Sequence, residues 1–338
     1  MAAIAPPVAI EHPGQATAVA AGRGGGGPFR NALDRIYPYA YIAPSILFMI
    51  VASFFPIVFT VVLSLTNYGQ GHVLSFSWVG LNNYVNVFSN NAELGISDFA
   101  HILLWTVIFA SVTTALSFSG GLFLANLLNN ENMRERNLYR TILIVPWALP
   151  GAIATLGWAE GILNQPFGLL HVVLADLGLS NGLQPQFLLD PFWARGALFI
   201  VCFWFGYPFM MTACLGALQS ISPEVLQAAE IDGANVFQKF FRVTLPLLRS
   251  ATLPLIISTF AFNLNNFGAV YLLTGGGPPT SNPFYGFTDT LPTAVYTLAY
   301  EHRLYFLACT YGVVIFFIIG GFSAINMKLS GAFEEVNR

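Results

Sequence analysis

Four residues toward the end of one long apolar run, Thr259, Phe262, Asn263 and Asn266, recur at i, i+3, i+4 and i+7. On a helix that spacing puts them on one face. Amides donate and accept hydrogen bonds without carrying charge, and an aromatic ring covers apolar surface. Such a face suits a neutral, polyhydroxylated molecule such as a sugar. With Asn265, three amides stand in the run; counted from its polar edge near Ser250, Asn263 falls near the middle. Amides in lipid are costly without partners, and hydrogen bonding to a neighbouring helix is the plainer explanation. A second polar stretch, QAAEIDGANVFQKFFRVTLPLL from Gln227 to Leu248, carries both charge signs and a central glycine.

Other chemistry is sparse. His12, His72, His101, His171 and His302 are scattered and point to no metal or proton relay. Cys202, Cys214 and Cys309 lie in apolar runs. The first two would be about 18 Å apart on one helix, too far to bridge. The glycine runs GRGGGGPFR and LTGGGPP lack the lysine and hydroxyl of a phosphate-binding loop. They read as a flexible tail and a turn. Glu160 and Trp158, near the end of another apolar run, could touch a substrate, although an interfacial tryptophan is the commoner case. No catalytic residue is expected.

The elements that would hold these residues are membrane helices. The chain has 338 residues, 55% hydrophobic and only 9% charged, against roughly 25% charged in soluble domains. The net charge of −3 is too small to bear on nucleic acid, and none is expected as a partner. Six segments are long and apolar enough to cross a bilayer as helices: Tyr37–Leu65, Phe99–Leu128, Thr141–Leu163, Phe192–Leu218, Leu245–Leu273 and Leu304–Met327. Prolines interrupt most of them, which is tolerated where neighbours or a wet cavity satisfy the freed backbone. An all-α membrane domain is therefore expected over 36–329, after a disordered tail (1–35) and before a short tail (330–338). No cleaved signal peptide is apparent.

Arginine and lysine set the orientation. Arg23, Arg30 and Arg35 precede the first segment, Arg134, Arg136 and Arg140 the third, and Lys239, Arg242 and Arg249 flank the start of the fifth; Lys328 and Arg338 follow the last. The other side has Arg195 and Arg303. Both termini are thus expected in the cytoplasm. The outer connections Thr66–Asp98, Asn164–Pro191 and Thr274–Arg303 read equally well as passive loops or as a docking surface.

The polar stretch belongs to a cytoplasmic module over about 222–242. Ser222 can cap a helix, Pro223 suits its first turn and Glu224 its positive end. Gly233 stands where a left-handed residue would stop the helix, and a second short helix follows from Asn235 to Phe241. An ordinary interfacial loop explains these features equally well.

This stretch resembles the EAA motif of the membrane subunits of binding-protein-dependent ABC importers, matching at Ala228, Ala229, Asp232, Gly233, Ala234, Leu245 and Pro246. The motif's leading glutamate is Gln227 here, which keeps an acceptor and loses the charge. The resemblance extends over most of the chain from Tyr37, through FSWVGLNNY (76–84) and YLLTGGGP (271–278). Phe205-Gly-Tyr-Pro-Phe209 and Phe260-Ala-Phe-Asn-Leu-Asn-Asn-Phe267 are most similar to the large membrane subunit of maltose-type carbohydrate importers. That subunit often has extra N-terminal spans and a large folded outer domain. This sequence shows six spans and, between the first two, only Thr66–Asp98.

The resemblance implies the type I importer transmembrane fold in a bacterial or archaeal plasma membrane. It implies that Gln227, Ala228, Ala229, Asp232, Gly233 and Ala234 form a coupling helix that docks on an ATPase. It places Phe205, Gly206, Phe209, Thr259, Phe262, Asn263 and Asn266 around a transmembrane sugar site. The family's maltose-binding example has tyrosine at the place of Phe209 and serine at that of Thr259, so maltose itself does not follow. Implied partners are a second, different permease subunit, two ATPase subunits that bind ATP and Mg, and an extracytoplasmic solute-binding protein. This chain would carry no cofactor. The alternatives are an ion-coupled secondary transporter of a neutral solute, which would want intramembrane acids or histidines, and a membrane-embedded enzyme, which would want a polar catalytic cluster.

Overall fold

The computed structural model describes residues 28–130, 133–178 and 185–329. Of the tails expected at 1–35 and 330–338, residues 1–27 and 330–338 lie outside the described residues. The described residues form helices and two isolated bridges, Thr66 with Trp78 and Pro279 with Gly286. Two compact units divide between Val58 and Phe59.

The first unit holds helix α1 (Pro28–Met49), a π turn (Ile50–Phe54) and the beginning of α2 (Phe55–Ser64). Helix α1 starts ahead of the boundary expected at 35, with Pro28 at a position that suits a first helical residue. The π turn sits just before Pro56. Proline supplies no N–H and crowds the carbonyl four residues back, and a widened turn relieves both. Tyr39–Ser64 has a mean hydropathy of 2.8, and none of its most apolar window is buried within the chain. A helix apolar all round needs lipid or another chain about it.

The second unit continues with α3 (Asn82–Phe88), α4 (Ile96–Leu128), α5 (Arg136–Ala148) and α6 (Gly151–Leu156), the last extended by a π turn (Gly157–Leu163). Next come α7 (Leu169–Asp176), α8 (Pro191–Gln219), α9 (Pro223–Ile231) and α10 (Val236–Lys239). A π turn (Phe240–Thr244) leads into α11 (Leu245–Leu264), followed by α12 (Gly268–Thr274), α13 (Leu291–Tyr300) and α14 (Tyr305–Leu329). Pro246 again lies just after a π turn, with Leu245 between them.

Among the described residues, five helices are long and apolar enough to span a membrane, or six if one bent pair is a single span. Two expected spans are not straight. Arg136–Ala148 and Gly151–Leu163 meet at 89°, because Leu149 precedes Pro150 and takes the extended conformation (ψ 143°) that a following proline favours. The run expected over Leu245–Leu273 breaks after Leu264, and the apolar helix reaches back to Val236 instead.

Helices α4 and α8 form the spine and approach closely through small residues. A Cβ added at Gly121 of α4 would lie 2.6 Å from the Met210 Cβ. Phe109, Leu198, Val201 and Val270 centre one core cluster. Leu298, Leu307 and Tyr311 centre a second. Ala125, Met211, Cys214 and Leu248 centre a third. The connection between α12 and α13 is fastened to this spine. Trp105 Nε1 donates to the Thr288 carbonyl at 3.1 Å. Arg195 donates twice to the Phe287 carbonyl at 3.1 and 3.0 Å while stacking over Trp105 at 4.4 Å. In the same connection burial pushes the Asp289 carboxyl up to about 6, against the Gly286 N–H that donates to it at 2.7 Å.

Candidate functional site

The amides of the fifth apolar run sit at a helix break. Asn263 lies in the last turn of α11, whereas Asn265 and Asn266 lie between α11 and α12. The single face expected for Thr259, Phe262, Asn263 and Asn266 therefore extends only through Asn263. Asparagine competes with helical backbone through its side chain, and two of the three amides serve the break. Asn265 Nδ2 donates back to the Ala261 carbonyl at 3.2 Å. Asn266 Oδ1 accepts from the Ala269 N–H at 3.2 Å, which caps the start of α12. Asn263 Nδ2 donates across to Thr114 Oγ1 of α4 at 3.0 Å.

These residues look in different directions. Asn263 is 5% exposed, Phe262 is 72% exposed, and Thr259 and Asn266 are half-buried. On α8, Phe205 is half-buried against the first core cluster. Phe209 is exposed and packs its ring 6.3 Å from that of Trp147. Gly206 is there for room, since an added Cβ would meet Ser117 Oγ of α4 at 2.3 Å. Thr114 and Ser117 are one turn apart, so α4 brings Asn263 and Gly206 to one level. A cavity of about 430 Å³ opens between α4, α11 and α14, lined by Thr114, Phe118, Ile257 and Phe260 among others. None of the seven candidate residues lines it. From Ser250 to Thr288 the sequence has no charged residue.

The polar module is a helix, a glycine turn and a second helix, as its sequence predicts. Gly233 has φ +79°. Its N–H bonds to the Glu230 carbonyl at 3.0 Å, and the Ala234 N–H bonds to that of Ala229 at 3.0 Å, closing α9. Ala229 is buried, Ala234 half-buried, and Gln227, Ala228 and Asp232 are exposed. The expected Ser222 cap is a correction. Its hydroxyl bonds to the Glu224 carboxylate instead of a backbone N–H, and it holds that carboxyl below its ordinary value. Two features had no recognised signal. Asn235 and Gln238 form a capping box on α10. Lys239 pairs with Glu230 across the glycine turn. The box could have been read from N-x-x-Q; the ion pair joins positions with no helical spacing. Ile231, Val236 and Phe237 leave an exposed apolar patch on the same module.

Residues 117–328 match the model of a family described as the binding-protein-dependent transport system inner membrane component. The chain is 34% identical over 311 residues to the galactooligosaccharides transport system permease protein GanP of Bacillus subtilis (strain 168), covering 91% of this chain and 73% of GanP. It is 38% identical over 265 residues to the maltose/maltodextrin transport system permease protein MalF of Escherichia coli (strain K12), covering 76% of this chain and 49% of MalF. The chain thus spans about half the length of MalF. Among solved structures, it resembles a chain of a bacterial ABC transporter involved in the import of the acidic polysaccharide alginate. That match has a TM-score of 0.69 at 21% identity and covers 89% of this chain and 98% of the other.

Proposed function

The chain belongs to the family of binding-protein-dependent transport system inner membrane components, and from that premise we propose that it is the permease subunit of an ATP-driven importer for a neutral oligosaccharide or glycoside. The observation that carries the substrate class is the uncharged break between α11 and α12, where amides and aromatic rings gather in a stretch without charge from Ser250 to Thr288. The names of GanP and MalF support it, since both refer to neutral sugars.

In this reading Phe205, Phe209, Thr259, Phe262 and Asn266 present rings and hydrogen-bonding groups to the sugar. Asn263 and Gly206 hold α11 and α8 against α4 beside them. The module from Gln227 to Ala234 docks on one of two ATPase subunits, which bind ATP and Mg; a second, different permease completes the pathway. An extracytoplasmic binding protein delivers the sugar to a multi-pass protein of the bacterial plasma membrane, with both termini cytoplasmic. ATP binding draws the ATPases and coupling helices together, and the cavity then opens to the outer side.

The test is uptake by vesicles holding the assembled transporter and its binding protein, offered neutral maltose- and galactose-series oligosaccharides and, separately, uronate oligosaccharides. Uptake of a neutral series with none of the uronates is the expected result. Preference for uronates would contradict the substrate class.

A further inference from the structure

Between Leu163 and Pro191 the chain folds a short helix, α7, whose exposed face is as apolar as its buried one. Leu170 and Leu174 pack against the first core cluster, which Ala197 and Leu198 in the second turn of α8 also join. His171 is buried beside them, and its Nε2–H donates to the Pro185 carbonyl at 3.1 Å. The imidazole meets Phe187 edge to face at 5.1 Å, and Phe187 meets Trp193 of α8 in the same way at 5.5 Å. These contacts hold α7 beside the first turns of α8. Its other face carries Leu169, Val172, Val173 and Leu177, all exposed, and Phe167 just ahead of the helix is 86% exposed. Leu189, Phe192 and Trp193, at the entry to α8, are exposed as well. Between Glu160 and Asp190 the sequence has a single charged residue, Asp176.

We propose that α7 is an in-plane membrane anchor, lying in the membrane surface on the side opposite the 222–242 module, with Leu169, Val172, Val173 and Leu177 sunk among the acyl chains of uncharged or zwitterionic lipid. Its depth follows from α8. The 29 residues of α8 are about 43 Å long at 1.5 Å per residue, against about 30 Å of hydrocarbon, so the ends of α8 stand in the boundary layer. Asp190 caps its start with a carboxylate that accepts from the Phe192 N–H at 2.9 Å, and a charged cap belongs at the water side. Trp193 is of the residue type enriched at that boundary. Fixed beside those turns, α7 lies at the same depth, where in-plane helices sink an apolar face about 5–10 Å into the boundary of headgroups and acyl chains. Lipid is also the neighbour that the spans already have. Charge selects the kind of lipid. No lysine or arginine lies between Glu160 and Asp190, and Arg195 is engaged by the Phe287 carbonyl, so nothing here draws anionic headgroups. A docking surface for a soluble partner has a polar rim around its apolar centre, which Asp176 alone does not supply.

The experiment places the assembled transporter in vesicles of phosphatidylcholine, with and without added phosphatidylglycerol. Val172→Cys, Val173→Cys and, as a water-facing control, Asn91→Cys are made one at a time and labelled with a nitroxide. Each carries Cys309→Ser, since Cys309 is half-buried while Cys202 and Cys214 are buried; Asn91 is exposed in a polar turn. Relaxation of the label by oxygen, which enters lipid, is compared with relaxation by a nickel chelate, which stays in water. Oxygen should act several-fold more strongly than the chelate on the labels at 172 and 173, equally in both kinds of vesicle, and the chelate should prevail at 91. Labels at 172 and 173 relaxed mainly by the chelate overturn the anchor, as does lipid contact that appears only with phosphatidylglycerol. Labels shielded from both probes, or open to the chelate until binding protein is added, would assign the face to a protein partner and overturn it too.

Discussion

An amide buried among apolar helices must find a partner, and Asn263 finds the Thr114 hydroxyl at 3.0 Å. Interhelical hydrogen bonds in membranes average only about 0.6 kcal/mol, but a buried amide stripped of its partner costs about 1–3 kcal/mol. Asn263→Leu and Thr114→Val should each lower the thermal stability of the purified complex, and the double variant should lose clearly less than the sum. Strictly additive losses in that cycle would show that the bond does not form. The sequence announced Asn263 as a polar residue in a costly place. It could not announce Thr114, 149 positions away, because partner choice depends on how α4 and α11 pack. Gly206 is a similar case: its need for space comes from Ser117 on another helix, and no local pattern encodes that.

Helices and turns were legible where local chemistry decides them. Pro223 opens α9 and Gly233, at φ +79°, closes it. They were less legible where two local rules compete. The apolar run from Leu245 to Leu273 has the composition of one span, yet Asn265 and Asn266 offer side-chain bonds that stop α11 and start α12. Pro56 and Pro246 do not break their helices, because a π turn absorbs each one. The Lys239–Glu230 pair adds a link between α9 and α10; as a surface pair it contributes little stability. Gly233 matters more. Nothing lies within 4 Å of the place its Cβ would take, so substitution costs backbone strain and no clash. Gly233→Asn should keep sugar-stimulated ATP hydrolysis close to wild type, because asparagine tolerates the left-handed region. Gly233→Val should cost about 1–2 kcal/mol of strain and uncouple hydrolysis from transport. Equal activity of both variants would mean that the glycine turn does not set the module's geometry.

The single chain carries much apolar surface that it does not cover itself. The first span buries none of its most apolar window, and Ile231 on the polar module is 87% exposed. Lipid accounts for the span; an exposed apolar patch on a polar module marks a surface that a protein or the membrane interface covers. Composition alone revealed the membrane class, since charge at 9% leaves no soluble alternative. The path for the substrate was less legible, because none of the seven residues implied by resemblance lines the cavity between α4, α11 and α14. The decisive measurement is sugar accumulation by vesicles holding the four-subunit transporter and its binding protein, with ATP sealed inside and ionophores collapsing every ion gradient. Accumulation that continues under ionophores and stops when ATP is withheld is the predicted result. Accumulation abolished by the ionophores and indifferent to ATP would contradict it, and would make the chain an ion-coupled carrier.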